Sequence, residues 1–120
     1  MKIAITSEGK ELTSKVCPRF GRAGYFLIVD LEDLSFEAVD NQQGLSASQG
    51  AGVQAAETVV RHKAECLITG HCGPKAFRAL KAAGIPIVLG ATGTVAQCVE
   101  LYKRGDMKPS DTSDVNGHWI

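Results

Sequence analysis

The residue in this sequence best placed for chemistry is Cys72, in the run Thr69-Gly70-His71-Cys72-Gly73-Pro74. Proline is favoured at the first position of a helix, where its missing N–H is not needed, so Gly73-Pro74 reads as a helix start. Unsatisfied amides at a helix start favour negative charge and lower the pKa of a nearby thiol, which gives Cys72 a route to thiolate character. A soft thiolate suits iron–sulfur, copper(I) and zinc. The plainer reading is a small residue tolerated in a tight turn. His71 beside it is either a metal ligand or anion contact, or a loop histidine in water.

Three other groups join this candidate site. Cys17 lies in the long segment Ser7–Gly24 and can face Cys72 only if both segments leave the sheet at one edge. Arg19 and Arg22, with Lys75 just inside the second helix, would combine with helix N-termini into an anion-receptive rim, although surface cations are solvated by default. Metal–sulfide clusters are usually anionic, so such a rim suits them. Gly73, Gly50-Ala51-Gly52 and Gly90-Ala91-Thr92-Gly93 let backbone approach a bulky ligand, and equally read as loop glycines. Of the four cysteines, Cys66 and Cys98 fall on apolar faces and read as core. No C-x-x-C pair occurs, so a tetrahedral structural zinc has no support. His62 closes a helix and His118 sits in the tail; neither reads as a ligand.

Other chemistries fit less well. His71-Cys72 through Arg78 satisfies the H-C-x5-R spacing of cysteine-dependent phosphatases. Pro74 starts a helix too early for that chemistry, however, and Phe77 reads as core, leaving no glycine-rich span to cradle phosphate. Gly50-Ala51-Gly52 mimics part of a dinucleotide fingerprint, but no carboxylate stands about twenty positions on. A divalent-metal nuclease needs converging carboxylates, whereas the first and fourth strands end in Thr6-Ser7 and Thr69-Gly70.

The elements that must position these residues follow from periodicity. Met1–Thr6 reads as a strand, Tyr25–Asp30 as a central strand, and Ser35–Asn41 as the exposed partner of a hairpin. Residues 42–52 read as a polar loop. From Val53 the period becomes helical, with Val53, Ala56 and Val60 predicted to face inward and Arg61-His62-Lys63 to meet the negative end of the dipole. Cys66–Thr69 is a short buried strand. A helix from Pro74 to Gly84 follows, with Ala76, Phe77 and Leu80 inward. Ile85–Leu89 is the fifth strand. Thr94-Val95-Ala96-Gln97 is a capping box opening a helix that buries Val95, Cys98, Val99 and Tyr102 and ends at Gly105. Residues 108–120 are predicted to be a polar tail beyond a domain of residues 1–107.

Right-handed crossovers make strands one, four and five parallel, and the hairpin extends the sheet beyond strand one. The expected architecture is an α/β, five-stranded mixed sheet of order 3-2-1-4-5 with three helices. A crevice then opens at the carboxyl ends of strands one and four, where loops 7–24, 42–52, 70–74 and 90–94 meet.

Composition sets the frame. The 120 residues suffice for one domain, and a hydrophobic fraction of 44% supplies one core. Thirteen basic residues balance thirteen acidic ones, which gives no argument for wholesale binding to nucleic acid or an anionic membrane. No signal peptide or membrane-spanning run is read, so a cytoplasmic protein is expected.

Phe20-Gly21-Arg22-Ala23 with Tyr25-Phe26, Gly50-Ala51-Gly52 with Ala55-Ala56, Ile68-Thr69-Gly70 with Gly73-Pro74-Lys75-Ala76-Phe77, and Gly93-Thr94-Val95 occur in that order. Together, from about residue 1 to 107, they resemble the dinitrogenase iron–molybdenum cofactor biosynthesis family. The resemblance implies a ribonuclease-H-like fold and a carrier or chaperone of iron–sulfur or iron–molybdenum cofactor precursors, non-catalytic and working with cofactor-assembly or cluster-receiving proteins. A related branch, the orange protein of sulfate-reducing bacteria, holds a molybdenum–copper sulfide cluster. Many members carry a histidine just before Phe-Gly-Arg, where this chain has Arg19, which shifts weight to Cys17, Cys72 and electrostatic holding. The expectation is reversible binding of a metal–sulfur species by Cys72, Cys17 and His71 with Arg19, Arg22 and Gly73, in a monomer or weak homodimer. A cysteine phosphatase at 71–78 and a protein-interaction module without cofactor are the alternatives.

Overall fold

A computed structural model describes residues 1–41 and 51–111 of the chain. The strands are β1 (Lys2–Ser7), β2 (Tyr25–Asp30), β3 (Phe36–Asp40), β4 (Leu67–Ile68) and β5 (Ile87–Val88). The helices are α1 (Ala51–Arg61), α2 (Pro74–Ala82) and α3 (Val95–Lys103), with a 3-10 turn at Phe20–Arg22. They form one five-stranded sheet of order β3-β2-β1-β4-β5. β1, β4 and β5 run parallel, while β2 is antiparallel to both β1 and β3. This is the strand order the crossovers predicted, in the ribonuclease-H-like fold the resemblance implied.

The alternation of side chains along each strand divides the core between the two faces of the sheet. Ala4, Phe26, Ile28, Leu67 and Ile87 pack with Ala55, Ala56 and Val59 of α1 and Ala76, Phe77 and Leu80 of α2. Ile3, Ile5, Leu27, Val29, Cys66, Ile68 and Val88 pack with Val95, Cys98 and Val99 of α3. β2 carries buried residues on both faces, which is why YFLIVD reads as an unbroken apolar run. Phe20 adds its ring to the α1/α2 side, tilted against Phe26 with centroids 5.6 Å apart. Each large side chain so buried contributes about 1.5–3 kcal/mol.

The helix ends obey the expected chemistry. Gly73 is the N-cap of α2 with proline in the first turn. Thr94 and Gln97 form a complete capping box on α3. Gly84 (φ +77°) and Gly105 (φ +80°) take the left-handed conformation that ends α2 and α3.

Three expectations are corrected. α1 begins at Ala51, and its buried stripe is Gly52, Ala55, Ala56 and Val59; Val53 is half-buried and Val60 is exposed. Both stripes have helical spacing, but only the smaller residues allow α1 to approach α2. A Cβ at Gly52 would stand 3.1 Å from the Ala76 Cβ, so this glycine serves helix packing. Second, the long loop 7–24 is tied down: Leu12 and Ser14 accept from the Ala96 and Val95 N–H groups at the start of α3, and the Val16, Cys17 and Phe20 N–H groups donate to Gly93, Thr6 and His71. Third, the stretch after α3 is anchored: Met107 packs on the α3-side core, and the Ser110 N–H donates to the Ile87 carbonyl at 2.7 Å. Residues 42–50 and 112–120, including Gly50, His118 and Trp119, lie outside the described residues.

Candidate functional site at the carboxyl edge of the sheet

Ser7 ends β1 opposite Tyr25, and Tyr25 pairs with Asp40, so the end of β1, the start of β2 and the end of β3 share one edge. β4 runs parallel to β1 and delivers Thr69–Gly73 to the same edge. The first loop returns across it. The Cys17 N–H donates to the Thr6 carbonyl at 3.0 Å, and the Val16 N–H to the Gly93 carbonyl at 2.9 Å. Beyond Cys17 the chain pairs with the β4–α2 turn. The His71 N–H donates to the Pro18 carbonyl at 2.7 Å, and the Phe20 N–H to the His71 carbonyl at 3.0 Å. Arg19 and His71 are thus bridged in parallel, as if Cys17–Phe20 were a short extra strand. The Gly90–Gly93 loop joins through the Gly90 N–H, 2.8 Å from the Gly70 carbonyl.

The segments bearing Cys17 and Cys72 therefore emerge at one mouth and touch. Both thiols face the α1/α2-side core rather than solvent, Cys17 at 9% exposure and Cys72 at 1%. The Cys17 Sγ donates to the Arg19 carbonyl at 3.5 Å, and the Cys72 Sγ to the Gly73 carbonyl at 3.7 Å. Burial raises the Cys17 pKa, opposed by a hydrogen bond from the Arg19 backbone; the Glu8 charge raises it further and the Arg19 charge lowers it. Cys17 thus rests as a thiol. In the same segments Arg19 and Arg22 are exposed, Lys75 is exposed on the first turn of α2, and His71 is half-exposed. Among the described residues no three His, Cys, Asp or Glu side chains gather as a metal-binding group.

Residues 1–105 of the chain match the family described as dinitrogenase iron-molybdenum cofactor. The chain belongs to that family. The apo form of the orange protein from Desulfovibrio gigas superposes with a TM-score of 0.93 at 40% identity, over 95% of this chain and 96% of that one. A Thermotoga NifB candidate of the DUF35 family superposes at 0.81 with 34% identity, over 95% and 97%. An uncharacterized Methanocaldococcus jannaschii protein is 26% identical over 110 residues, 90% of each chain. In this member of the dinitrogenase cofactor family, the fold and the cofactor-related context thus agree with the resemblance carried by the sequence.

Other predicted features fall elsewhere. Cys66 and Cys98 are buried on the α3 side, as expected of core residues. The Cys66 Sγ donates to the Leu67 carbonyl at 3.8 Å. His62 lies 3.6 Å from Glu37 of β3, away from the mouth. In the H-C-x5-R segment, residues 74–78 form the opening turns of α2 and Arg78 points to solvent while Cys72 is buried, so no loop wraps a phosphate site. A shallow groove of about 240 Å³ between α1 and α2, lined by Ala56, Glu57, Val60, Arg61 and Ala79, involves none of the predicted site residues.

Sequence reasoning missed three buried polar residues that build the edge. The Asn41 side-chain amide donates to the Ala23 carbonyl at 2.8 Å, and its N–H to the Gly24 carbonyl at 3.0 Å, fixing the approach to β2. The Thr6 hydroxyl donates to the Cys17 carbonyl at 2.8 Å, and the Thr6 and Thr69 hydroxyl oxygens stand 2.9 Å apart. The available signal was a polar residue ending each of two otherwise apolar strands.

Proposed function

We propose that this protein binds and carries a metal–sulfur cargo, of iron–sulfur, iron–molybdenum or molybdenum–copper sulfide type, and performs no reaction on it. The observation that carries this reading is the backbone pairing of Cys17–Phe20 with Gly70–Cys72, which joins two thiol-bearing segments that also carry exposed cations. Membership of the cofactor family and likeness to the orange protein support the cargo class.

In this reading Cys72 is the principal ligand, Cys17 and His71 are secondary ones, and the Gly73 backbone lies against the cargo. Arg19 and Arg22 balance its negative charge. Two thiols suit a reversible load, because a carrier held by many thiolates would not let go. Both cysteines are buried, so loading requires side chains at the mouth to shift and a proton to leave each sulfur that binds. The partners are cofactor-assembly or cluster-receiving proteins of the cytoplasm.

Anaerobic reconstitution tests the proposal. Purified protein is offered either ferrous iron with sulfide or tetrathiomolybdate with copper(I), and uptake is followed by visible absorption and metal analysis after desalting. The wild type is expected to retain a coloured species and Cys72→Ser to lose most of it. Full retention by Cys72→Ser removes Cys72 from the account; a wild type that retains neither species refutes the carrier reading.

A further inference from the structure

The two threonine hydroxyls at the carboxyl ends of the parallel strands have no part in holding cargo, yet they are fully buried and meet beside Cys17. A hydroxyl owns one proton. With that of Thr6 given to the Cys17 carbonyl, the Thr69 hydroxyl donates to Thr6, and a relay runs from β4 through β1 to the backbone of Cys17. Thr69 is followed directly by the turn that carries His71 and Cys72. The same turn is held from its other side: Gly70 meets the Pro18 backbone so closely that a Cβ there would lie 2.6 Å from the Pro18 carbonyl oxygen. His71 adds the pair of backbone bonds to Pro18 and Phe20. No buried side-chain nitrogen or oxygen is left without a partner among the described residues, so breaking this relay leaves orphans behind.

From this geometry we infer that Thr6 and Thr69 are positioning residues: their hydroxyl relay locks the Cys17 segment to the Cys72 turn, so that the two thiols become accessible together. The inference deepens the carrier reading and rests on it for its purpose, since a cargo bridging the two sulfurs needs them in a constant relation. The lock itself is a property of the empty protein and is tested without cargo.

The test uses the division of the cysteines. Cys17 and Cys72 belong to the α1/α2 side of the sheet, whereas Cys66 and Cys98 belong to the α3 side. All four are buried, so each is alkylated only through openings of the structure. Thr6→Val keeps the shape of the side chain and removes the relay. Alkylation of the full chain by iodoacetamide, resolved by peptide mass mapping, is expected to accelerate roughly ten- to a hundredfold at both Cys17 and Cys72, the factor that accompanies the two buried hydrogen bonds lost with the Thr6 hydroxyl. Cys66 and Cys98 should keep their rates, and Thr6→Ser, which retains the hydroxyl, should restore the wild-type pattern. Unchanged rates at Cys17 and Cys72, or an equal rise at all four, would overturn the lock in favour of an inert pair or general loosening.

If Thr6→Val does not fold, amide exchange of the unmodified protein decides. The Cys17, Phe20 and His71 amides should share one opening free energy; protection of His71 with rapid exchange at Cys17 refutes the coupling. Cargo uptake by the wild type is read separately, so a failure of the carrier reading is not mistaken for a failure of the lock.

Discussion

Pro18 and Gly70 meet backbone to backbone: a methyl group on Gly70 would lie 2.6 Å from the Pro18 carbonyl oxygen and 2.8 Å from its Cα. Neither neighbour is a flexible side chain, so the contact yields only if the first loop moves. Gly70→Ala is expected to lower stability by about 1–3 kcal/mol, the range for overpacking a close contact. Chemical denaturation checks this as a fall in the midpoint at an unchanged slope. An unchanged midpoint would show that the loop slides away freely.

The rim cations predict a salt-sensitive cargo. Arg19 and Arg22 are exposed, so any attraction they exert is screened over about 10 Å at ordinary ionic strength. Uptake of tetrathiomolybdate with copper(I) should weaken several-fold between low and high salt, and the double variant Arg19→Ala, Arg22→Ala should lose most of that dependence. Equal salt sensitivity in wild type and variant assigns the effect to other charges.

Alkaline pH should destabilise the fold. Burial raises the pKa of Cys17, Cys66 and Cys98 above their ordinary 9.0. Burial, with help from the Cys66 hydrogen bond and charge and the Glu65 charge, pushes Tyr102 from 10.0 up to about 12. The unfolded chain therefore releases these protons first, and between the unfolded and folded values the native state binds more protons. Stability falls with rising pH across that interval. Urea midpoints should be level below pH 9.0 as far as these groups are concerned, decline above it, and continue declining toward 12. Tyr102→Phe should flatten the decline above pH 10.0, the point at which the unfolded tyrosine begins to ionise.

Thr94→Ala breaks the α3 capping box, in which Thr94 accepts from the Gln97 N–H at 3.2 Å and Gln97 accepts from the Thr94 N–H at 2.9 Å. Loss of a threonine N-cap costs about 1 kcal/mol. Since Lys15 bridges to Thr94 and the Val95 N–H donates to the Ser14 carbonyl, faster amide exchange should also reach Lys15 and Val16 on the first loop. Confinement of the change to α3 would separate the loop from the helix start.

The strands, the helix starts and the sheet order were legible because each is written in local pattern. β2 is continuously apolar, α2 begins with proline, α3 carries its capping box, and crossovers of one hand leave a single order for three parallel strands. Three of the four loops expected at the carboxyl edge, 7–24, 70–74 and 90–94, meet there; most of the fourth, 42–52, lies outside the described residues. On α1 the expected inward position of Ala56 holds, while Val53 and Val60 turn outward and Gly52, Ala55 and Val59 are buried in their place, because the close approach to Ala76 selects the smaller residues.

What tertiary structure alone decided is the condition of the thiols and the means of holding them. Local pattern set Cys72 at a helix start and Cys17 in a long loop. Folding lays the loop along the Gly70–Cys72 turn and turns both sulfurs toward the α1/α2-side core. The contact joins residues far apart in the chain, through Thr6 to Thr69 and Pro18 to Gly70, and no periodicity records it. Hydrogen bonds and close packing between distant segments depend on distances that exist only once the sheet has assembled.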